Sequence, residues 1–148
     1  MGKIKRQQKS LCEIRFNSQC ENSEVIKFRN NRWLRRKSIK YKDLLTNWAA
    51  VKRTPLVKSK ALKFEVRYFE ILPKGYTSLE YHNHAHVVIC IKGKGKLRLG
   101  NKYKILKYLD IAYIAPNEIH QLLNPYDEPF GFFCIVDAER DKPIEVKI

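Results

Sequence analysis

The chain has 148 residues, 44% of them hydrophobic and 30% charged, which is enough for one domain with a substantial core. No apolar run approaches the roughly 20 residues of a membrane-spanning helix, and no apolar segment follows the basic N-terminus as in a secretory signal. The four cysteines form no CxxC pair, so nothing demands an oxidising compartment. We therefore expect a cytoplasmic protein without a membrane partner.

The net charge of +15 is concentrated in the first part of the chain. Residues 1–60 carry 17 Lys and Arg against four acids, whereas residues 61–148 carry 13 against 11. We therefore predict a partly irregular basic extension over residues 1–45 and a β domain over residues 46–148.

Aromatic residues alternate with the basic residues of this extension, among them Phe28, Trp33 and Tyr41. Such a composition can neutralise phosphates and stack on bases. No nucleic-acid-binding motif accompanies it, and charge alone is a weak signal. We favour a solvated arm whose Trp33 and Tyr41 pack against the domain over a contact with nucleic acid.

The predicted elements are short strands separated by turns. Tyr41–Trp48 is a short helical turn or a loop, and Ala49–Val57 is a strand that Pro55 pushes towards a sheet edge. Leu62–Leu72 is a long strand ended by the turn signal Pro73-Lys74-Gly75. The later strands are His86–Lys92, Lys96–Leu99, Lys102–Leu106 after a hairpin turn at Gly100-Asn101, Asp110–Ala115, His120–Leu123 and Pro129–Asp137. The pattern predicts an all-β fold, a sandwich or a barrel.

Three of the four histidines fall within five residues, in the stretch Glu80-Tyr81-His82-Asn83-His84-Ala85-His86. Residues two apart in a strand point the same way, so four potential ligands would share one face: Glu80, His82, His84 and His86. Imidazole and carboxylate are common ligands of divalent transition metals. The apolar strand that follows favours a wet pocket inside a β structure over a solvent-facing polar strand. The remaining histidine, His120, begins a later strand and can add a ligand.

Around these residues the sequence resembles the cupin superfamily, whose members are double-stranded β-helix barrels of the jelly-roll class. Pro116, His120 and Asn124 match the second cupin motif in spacing. Asn117 and Leu109 stand where that motif usually has glycine. The resemblance covers residues 61–137 and implies a single jelly-roll barrel with one mononuclear metal site.

The first cupin motif departs from the family pattern, and the resemblance leaves two ligand sets open. Counting back from Gly93 without a gap gives Glu80, His82, His86 and His120. The literal His-X-His pair instead gives His82, His84, His86 and His120. We favour the first set, in which His84 lies behind the ligands or lines the pocket. The ion implied is Fe(II), Mn(II), Ni(II) or Zn(II).

Strand parity places further side chains around the expected pocket: Tyr68, Val88, Cys90, Tyr113, Gln121 and Phe132. Cys90 lies deeper in the barrel on this interpretation, and Cys90 and Cys134 are best explained as buried free thiols.

Fold does not decide function in this superfamily, which includes enzymes, storage proteins and sensors. We expect a small metal-dependent enzyme, of oxygenase or isomerase/lyase type, acting on a small organic molecule. The alternative is a non-enzymatic ligand- or metal-sensing module whose basic arm contacts nucleic acid or an acidic partner. Small cupins are often dimers, so the resemblance also implies a homodimer, with Ala49–Val57 as a pairing edge.

Overall fold

The computed structural model describes residues 19–40 and 49–147. Over these residues the chain forms strands and no α-helix, and none of them builds a helix able to span a membrane. The strands are β1 Phe28–Arg29, β2 Arg32–Trp33, β3 Ile39–Lys40, β4 Ala49–Val57, β5 Phe64–Tyr76, β6 Glu80–Tyr81, β7 His86–Lys92, β8 Gly95–Leu99, β9 Lys102–Leu106, β10 Ile111–Ile114, β11 His120–Leu123, β12 Phe130–Asp137 and β13 Ile144–Glu145. The predicted all-β class is confirmed. The predicted turn or loop over residues 41–48 lies outside the described residues.

Two antiparallel layers build a jelly-roll barrel. One layer has the order β10-β7-β12-β5-β4-β3, and the other has the order β9-β8-β11-β6-β13. They join where Leu123 of β11 pairs with Tyr76 at the end of β5. The core between them contains fully buried side chains from both layers, among them Ile71, Phe132 and Leu97.

The long strand β5 carries the chain from one layer to the other. The predicted turn at Pro73-Lys74-Gly75 is wrong as a strand end, because β5 continues to Tyr76. Lys74 has a φ of 68° and its N–H donates to Asn124 O at 2.7 Å. The Asn124 N–H in turn donates to Gly75 O at 2.9 Å. These bonds satisfy the backbone at the bend, so the chain turns a corner without leaving the sheet.

The N-terminal segment packs on the outer face of the first layer. The Trp33 ring lies 6.1 Å from the Tyr68 ring and 5.8 Å from the Phe133 ring, measured between centroids. This is the packing expected of Trp33, whereas Tyr41 lies outside the described residues.

The same segment covers the outer edge of β4. Strand β3 pairs with Lys52 and Arg53, and Arg36 Nε donates to Leu56 O at 2.7 Å. The Arg36 guanidinium is itself held by Glu24 at 2.7 Å. The expectation that β4 offers a free edge for pairing with a second copy is therefore wrong, because groups of the same chain occupy it.

Candidate metal centre

Three histidines from separate elements meet inside the barrel. His82 follows β6, His86 begins β7 and His120 begins β11. All three side chains are buried, and their candidate ligand nitrogens lie within 4.8 Å of one another. The ring centroids of the three pairs lie between 4.8 and 5.0 Å apart. We call this group the histidine triad.

Hydrogen bonds on the outer side of each ring orient the triad. His82 Nδ1 lies 2.6 Å from His84 O, and His120 Nδ1 lies 2.8 Å from Glu118 O. A carbonyl oxygen only accepts, so both Nδ1 atoms carry the proton and donate it. His86 Nδ1 lies 3.3 Å from Cys134 Sγ. With Nδ1 engaged in each ring, Nε2 is the candidate ligand atom, as is typical of metal-ligating histidines.

The triad fits a bound cation. Within the part of the chain that the structure describes, His86 Nε2 is buried and has no hydrogen-bond partner. Leaving such an atom unsatisfied costs about 1–3 kcal/mol, which a ligand bond would offset. Three neutral imidazoles form a donor set suited to Zn, Fe, Mn or Ni.

Burial keeps the triad neutral. It lowers the pKa of His86 to about 2, with smaller contributions from His120 and His82. Burial likewise lowers the pKa of His120 to about 4 and shifts the pKa of His82 downwards. Only a neutral imidazole can bind a metal through its ring nitrogen, so at neutral pH the site has no protons to release before binding.

The two candidates for a fourth ligand, Glu80 and His84, both line the cavity that contains the triad. Among the described residues, neither belongs to the group of converging ligand atoms. Glu80 is buried, and its Oε2 accepts a hydrogen bond from Ser78 Oγ at 2.6 Å. The carboxylate therefore stands beside the triad rather than in it.

His84 lies flat against a triad ring. Its ring is 3.7 Å from that of His82 at an interplanar angle of 3°, and its Nδ1 lies 2.8 Å from Asp141 Oδ1. The backbone N–H groups of Asn83 and His84 also donate to the Asp141 carboxylate, at 2.9 and 3.2 Å. This carboxylate holds a bend after β6. The prediction of one extended row from Glu80 to His86 is wrong for that reason.

The cavity around the triad has a volume of about 110 Å³. Its walls combine apolar side chains, among them Phe69, Leu122 and Phe132, with charged groups. Three arginines line the same space, Arg53, Arg67 and Arg140, together with the two acids Glu80 and Asp141. The lining therefore carries a net positive charge, which favours an anionic small molecule.

Only some of the residues predicted to line the pocket do so in the structure. Phe132 lines the cavity. Val88 and Cys90 point into the barrel as expected, but they are fully buried in the core and do not line the cavity. Gln121 also lies outside the lining, and its Nε2 donates to Thr77 O at 2.8 Å.

Two aromatic residues were placed in the pocket wrongly. Arg67 and Phe69 point inwards, so Tyr68 between them points to the opposite face of β5, beneath Trp33. Its hydroxyl donates to Glu70 Oε2 at 2.8 Å. Tyr113 is 65% exposed on β10 and lies outside the metal cavity.

Sequence reasoning did not single out the arginines or Asp141. Arg67 shares the inward parity of Phe69 and Ile71, and a charge on the core-facing side of a long strand is a usable signal. Asp141 gives no comparable signal, because it lies in a polar tail and reaches the site through tertiary contacts.

The fold and the triad define a single-domain β-barrel with a candidate mononuclear metal centre. Comparison with known proteins gives the family. Residues 67–136 match the family model described as a cupin domain. A cupin-2 domain from Rhodospirillum rubrum has a crystal structure with a TM-score of 0.76 and 35% identity, covering 84% of each chain. The chain belongs to the cupin family.

Two further relatives are similar. A cupin 2 conserved barrel protein from Rhodopseudomonas palustris has a TM-score of 0.79 at 30% identity, covering 84% of this chain and 87% of that one. The 1-methylthio-D-xylulose 5-phosphate methylsulfurylase of Rhodospirillum rubrum is 42% identical over 94 residues. That match spans 64% of this chain and 60% of the relative's length.

Proposed function

We propose that the protein is a mononuclear metal-dependent enzyme, of isomerase/lyase or oxygenase type, that acts on a small organic molecule. The observation that carries the proposal is the convergence of the triad, with each Nδ1 engaged outwards and His86 Nε2 buried without a partner among the described residues. A surface cluster of histidines would have neither the burial nor the outer hydrogen bonds.

His82, His86 and His120 would hold the ion, and Glu80 or His84 would complete the set. The ion would supply a Lewis acid or a redox centre for an oxygen-bearing molecule. Whichever of Glu80 and His84 is not a ligand would line the cavity beside the bound molecule and would exchange a proton with it. Asp141 orients the His84 ring for that role through the 2.8 Å contact with Nδ1.

The cavity walls contribute binding and exclude water. Phe69, Leu122 and Phe132 present apolar surface next to the triad. Such surface displaces solvent and strengthens the electrostatic interactions inside. The space of about 110 Å³ next to the triad is large enough for a small organic molecule.

The methylsulfurylase relative supports an enzymatic function. Its name describes an enzyme that acts on 1-methylthio-D-xylulose 5-phosphate. The match covers 94 residues, 64% of this chain, and on that basis we propose a substrate of related size, a small oxygen-rich molecule.

The test uses His120→Ala with Gln121→Ala as the control. Gln121 neighbours His120 on β11 and lies outside the cavity lining. We expect His120→Ala to keep its circular dichroism spectrum while losing bound metal and turnover of 1-methylthio-D-xylulose 5-phosphate or of a related sugar phosphate. Gln121→Ala should keep both. Turnover that survives the loss of His120 would contradict the proposal.

A non-enzymatic sensing module is the second candidate, and one observation favours it. Residues 92–109 contain seven Lys and Arg and no Asp or Glu, and they form the β8–β9 hairpin. A sensor that contacts nucleic acid should show binding that weakens steeply with salt. Fluorescence anisotropy with a labelled oligonucleotide at 50 and 200 mM salt measures this, and no binding at the lower salt would eliminate the candidate.

We also propose that the protein is cytoplasmic and that it acts as a homodimer. Strand β4 is covered, but β10 ends its layer among the described strands, with Ile111 and Tyr113 67% and 65% exposed. Exposed apolar side chains at a sheet edge favour association. Sedimentation velocity should give twice the chain mass of 17.6 kDa, and a monomer at micromolar concentration would contradict this.

A further inference from the structure

We propose that Arg67 binds an anionic group of the substrate, a phosphate or a carboxylate, on the wall of the metal cavity. The inference rests on the proposed function, because it names the class of molecule that the same site takes. It makes one inward-facing guanidinium a residue that determines substrate specificity.

Arg67 has a fixed position in the barrel. It lies on β5 between Pro55 of β4 and Cys134 of β12, so two neighbouring strands hold its backbone. Its guanidinium carbon lies 5.1 Å from the centroid of the Phe69 ring. Contact with an aromatic face restrains the guanidinium plane and leaves the donor edge available to a ligand.

The charge of Arg67 lacks a counter-ion in the described part of the chain. Its Nη2 donates to Cys134 Sγ at 3.3 Å, and a thiol is a weak, neutral acceptor. Its Nε is buried and has no hydrogen-bond partner there. By contrast, Arg36 and Arg140 contact carboxylates, at 2.7 Å to Glu24 and 3.3 Å to Glu65. A partly buried guanidinium with unused donors is costly unless an anion completes it.

Arg67 and the triad line one cavity. Cys134 Sγ is 3.3 Å from Arg67 Nη2 and 3.3 Å from His86 Nδ1, on the side of the His86 ring that faces away from the centre of the triad. Because Arg67 and the triad line the same cavity, an anion on Arg67 would share that cavity with an ion held by the triad. One small molecule can place its anionic group on Arg67 and another oxygen at the metal.

The chemistry selects phosphate or carboxylate. Both groups present two oxygens in the geometry of the guanidinium fork, and their charge-assisted hydrogen bonds are stronger than neutral ones. Arg53 and Arg140 line the same cavity, as do Glu80 and Asp141, so the lining as a whole keeps a net positive charge. Neutral ligands would leave the Arg67 charge unpaired.

The test measures binding of inorganic phosphate and of acetate by isothermal titration calorimetry at constant ionic strength. The protein carries one equivalent of zinc and is freed of excess metal, and a second series uses chelator-stripped protein. Arg67→Gln is compared with Arg98→Gln, which removes the same charge from β8, outside the cavity lining. Arg67→Lys keeps the positive charge but lacks the paired N–H donors of a guanidinium. It serves as a second variant if thermal unfolding shows that Arg67→Gln is not folded.

We expect Arg67→Gln to weaken binding of the preferred anion about 10- to 100-fold in both series, as for the loss of charge-assisted hydrogen bonds. Arg67→Lys should lose less, and Arg98→Gln should stay within about twofold of the native protein. Tighter binding of phosphate than of acetate would identify a phosphorylated substrate, and the reverse order a carboxylic acid.

Two failures are distinguishable. Native-like anion binding by a zinc-retaining Arg67→Gln or Arg67→Lys variant would overturn the assignment of Arg67 and leave the metal centre standing, as would a native protein that binds neither anion. Arg67-dependent anion binding by a native protein that retains none of Fe(II), Mn(II), Ni(II) and Zn(II) would instead overturn the proposed function and leave the anion site standing.

Discussion

Asn124 offers a sharp test of how the barrel corner is stabilised. Its side chain is fully buried and makes three hydrogen bonds. Nδ2 donates to Ile71 O at 2.8 Å and to Glu128 O at 2.7 Å, and Oδ1 accepts from the Tyr126 N–H at 3.1 Å. Asn124→Ala removes all three. At about 1 kcal/mol for each bond, and about 1–2 kcal/mol for the buried groups left unsatisfied, we expect a loss of about 4–5 kcal/mol.

Urea unfolding followed by tryptophan fluorescence measures this loss, with chelator present so that metal binding does not contribute. The m-value should stay unchanged. Asn101→Ala is the matched control, because Asn101 is exposed in the β8–β9 hairpin. It should change the free energy of unfolding by less than about 0.5 kcal/mol. A loss below about 1 kcal/mol for Asn124→Ala would refute the reasoning, since the three bonds would then contribute almost nothing.

Three other predictions test packing, charge and the support of the metal centre. Gly95→Ala would drive its Cβ into the buried Phe130 ring, so unfolding should show a loss of about 1–3 kcal/mol. In Gly100→Ala the Cβ would meet only Glu118 Oε1, at an ordinary contact distance of 3.7 Å, and the cost would come mainly from the φ of 56°. In metal-stripped protein, burial lowers the pKa of folded His120 to about 4, whereas the same histidine in the unfolded chain has a pKa of about 6.5. Between these two pH values only the unfolded state binds the proton. Stability should therefore fall on acidification from pH 6.5 to 4, by up to about 1.4 kcal/mol per pH unit for that histidine, and an equal slope in His120→Gln would contradict this. Asp141→Ala should weaken zinc affinity about 10-fold in a chelator competition, because it releases the bend that orients the triad, and an unchanged affinity would show that the bend holds without it.

Local patterns predicted most of the barrel. Four predicted strands have the bounds that the structure shows: Ala49–Val57, His86–Lys92, Lys102–Leu106 and His120–Leu123. Their bounds are set by the alternation of apolar and polar residues and by turn residues, both of which are local features of the sequence. The association of His120 with the His82–His86 cluster also came from the sequence, through the spacing of Pro116 and Asn124.

Tertiary contacts decided what the sequence could not. Lys74 bends β5 without ending it because Asn124, far along the chain, pairs with the backbone there. Asp141 bends the residues after β6 and turns His84 onto the ring of His82. Arg67 was not recognised because the sequence analysis placed Tyr68, on the opposite face of β5, in the pocket, and both faces of this strand carry aromatic and charged side chains.

Elemental analysis of protein purified without a histidine tag tests the central claim, that the triad is a metal centre. About one divalent transition-metal ion per chain is expected, falling to background in His86→Gln, because a preformed buried site retains its ion. Fewer than about one ion in ten chains after incubation with Fe(II), Mn(II), Ni(II) and Zn(II) in turn would contradict the claim.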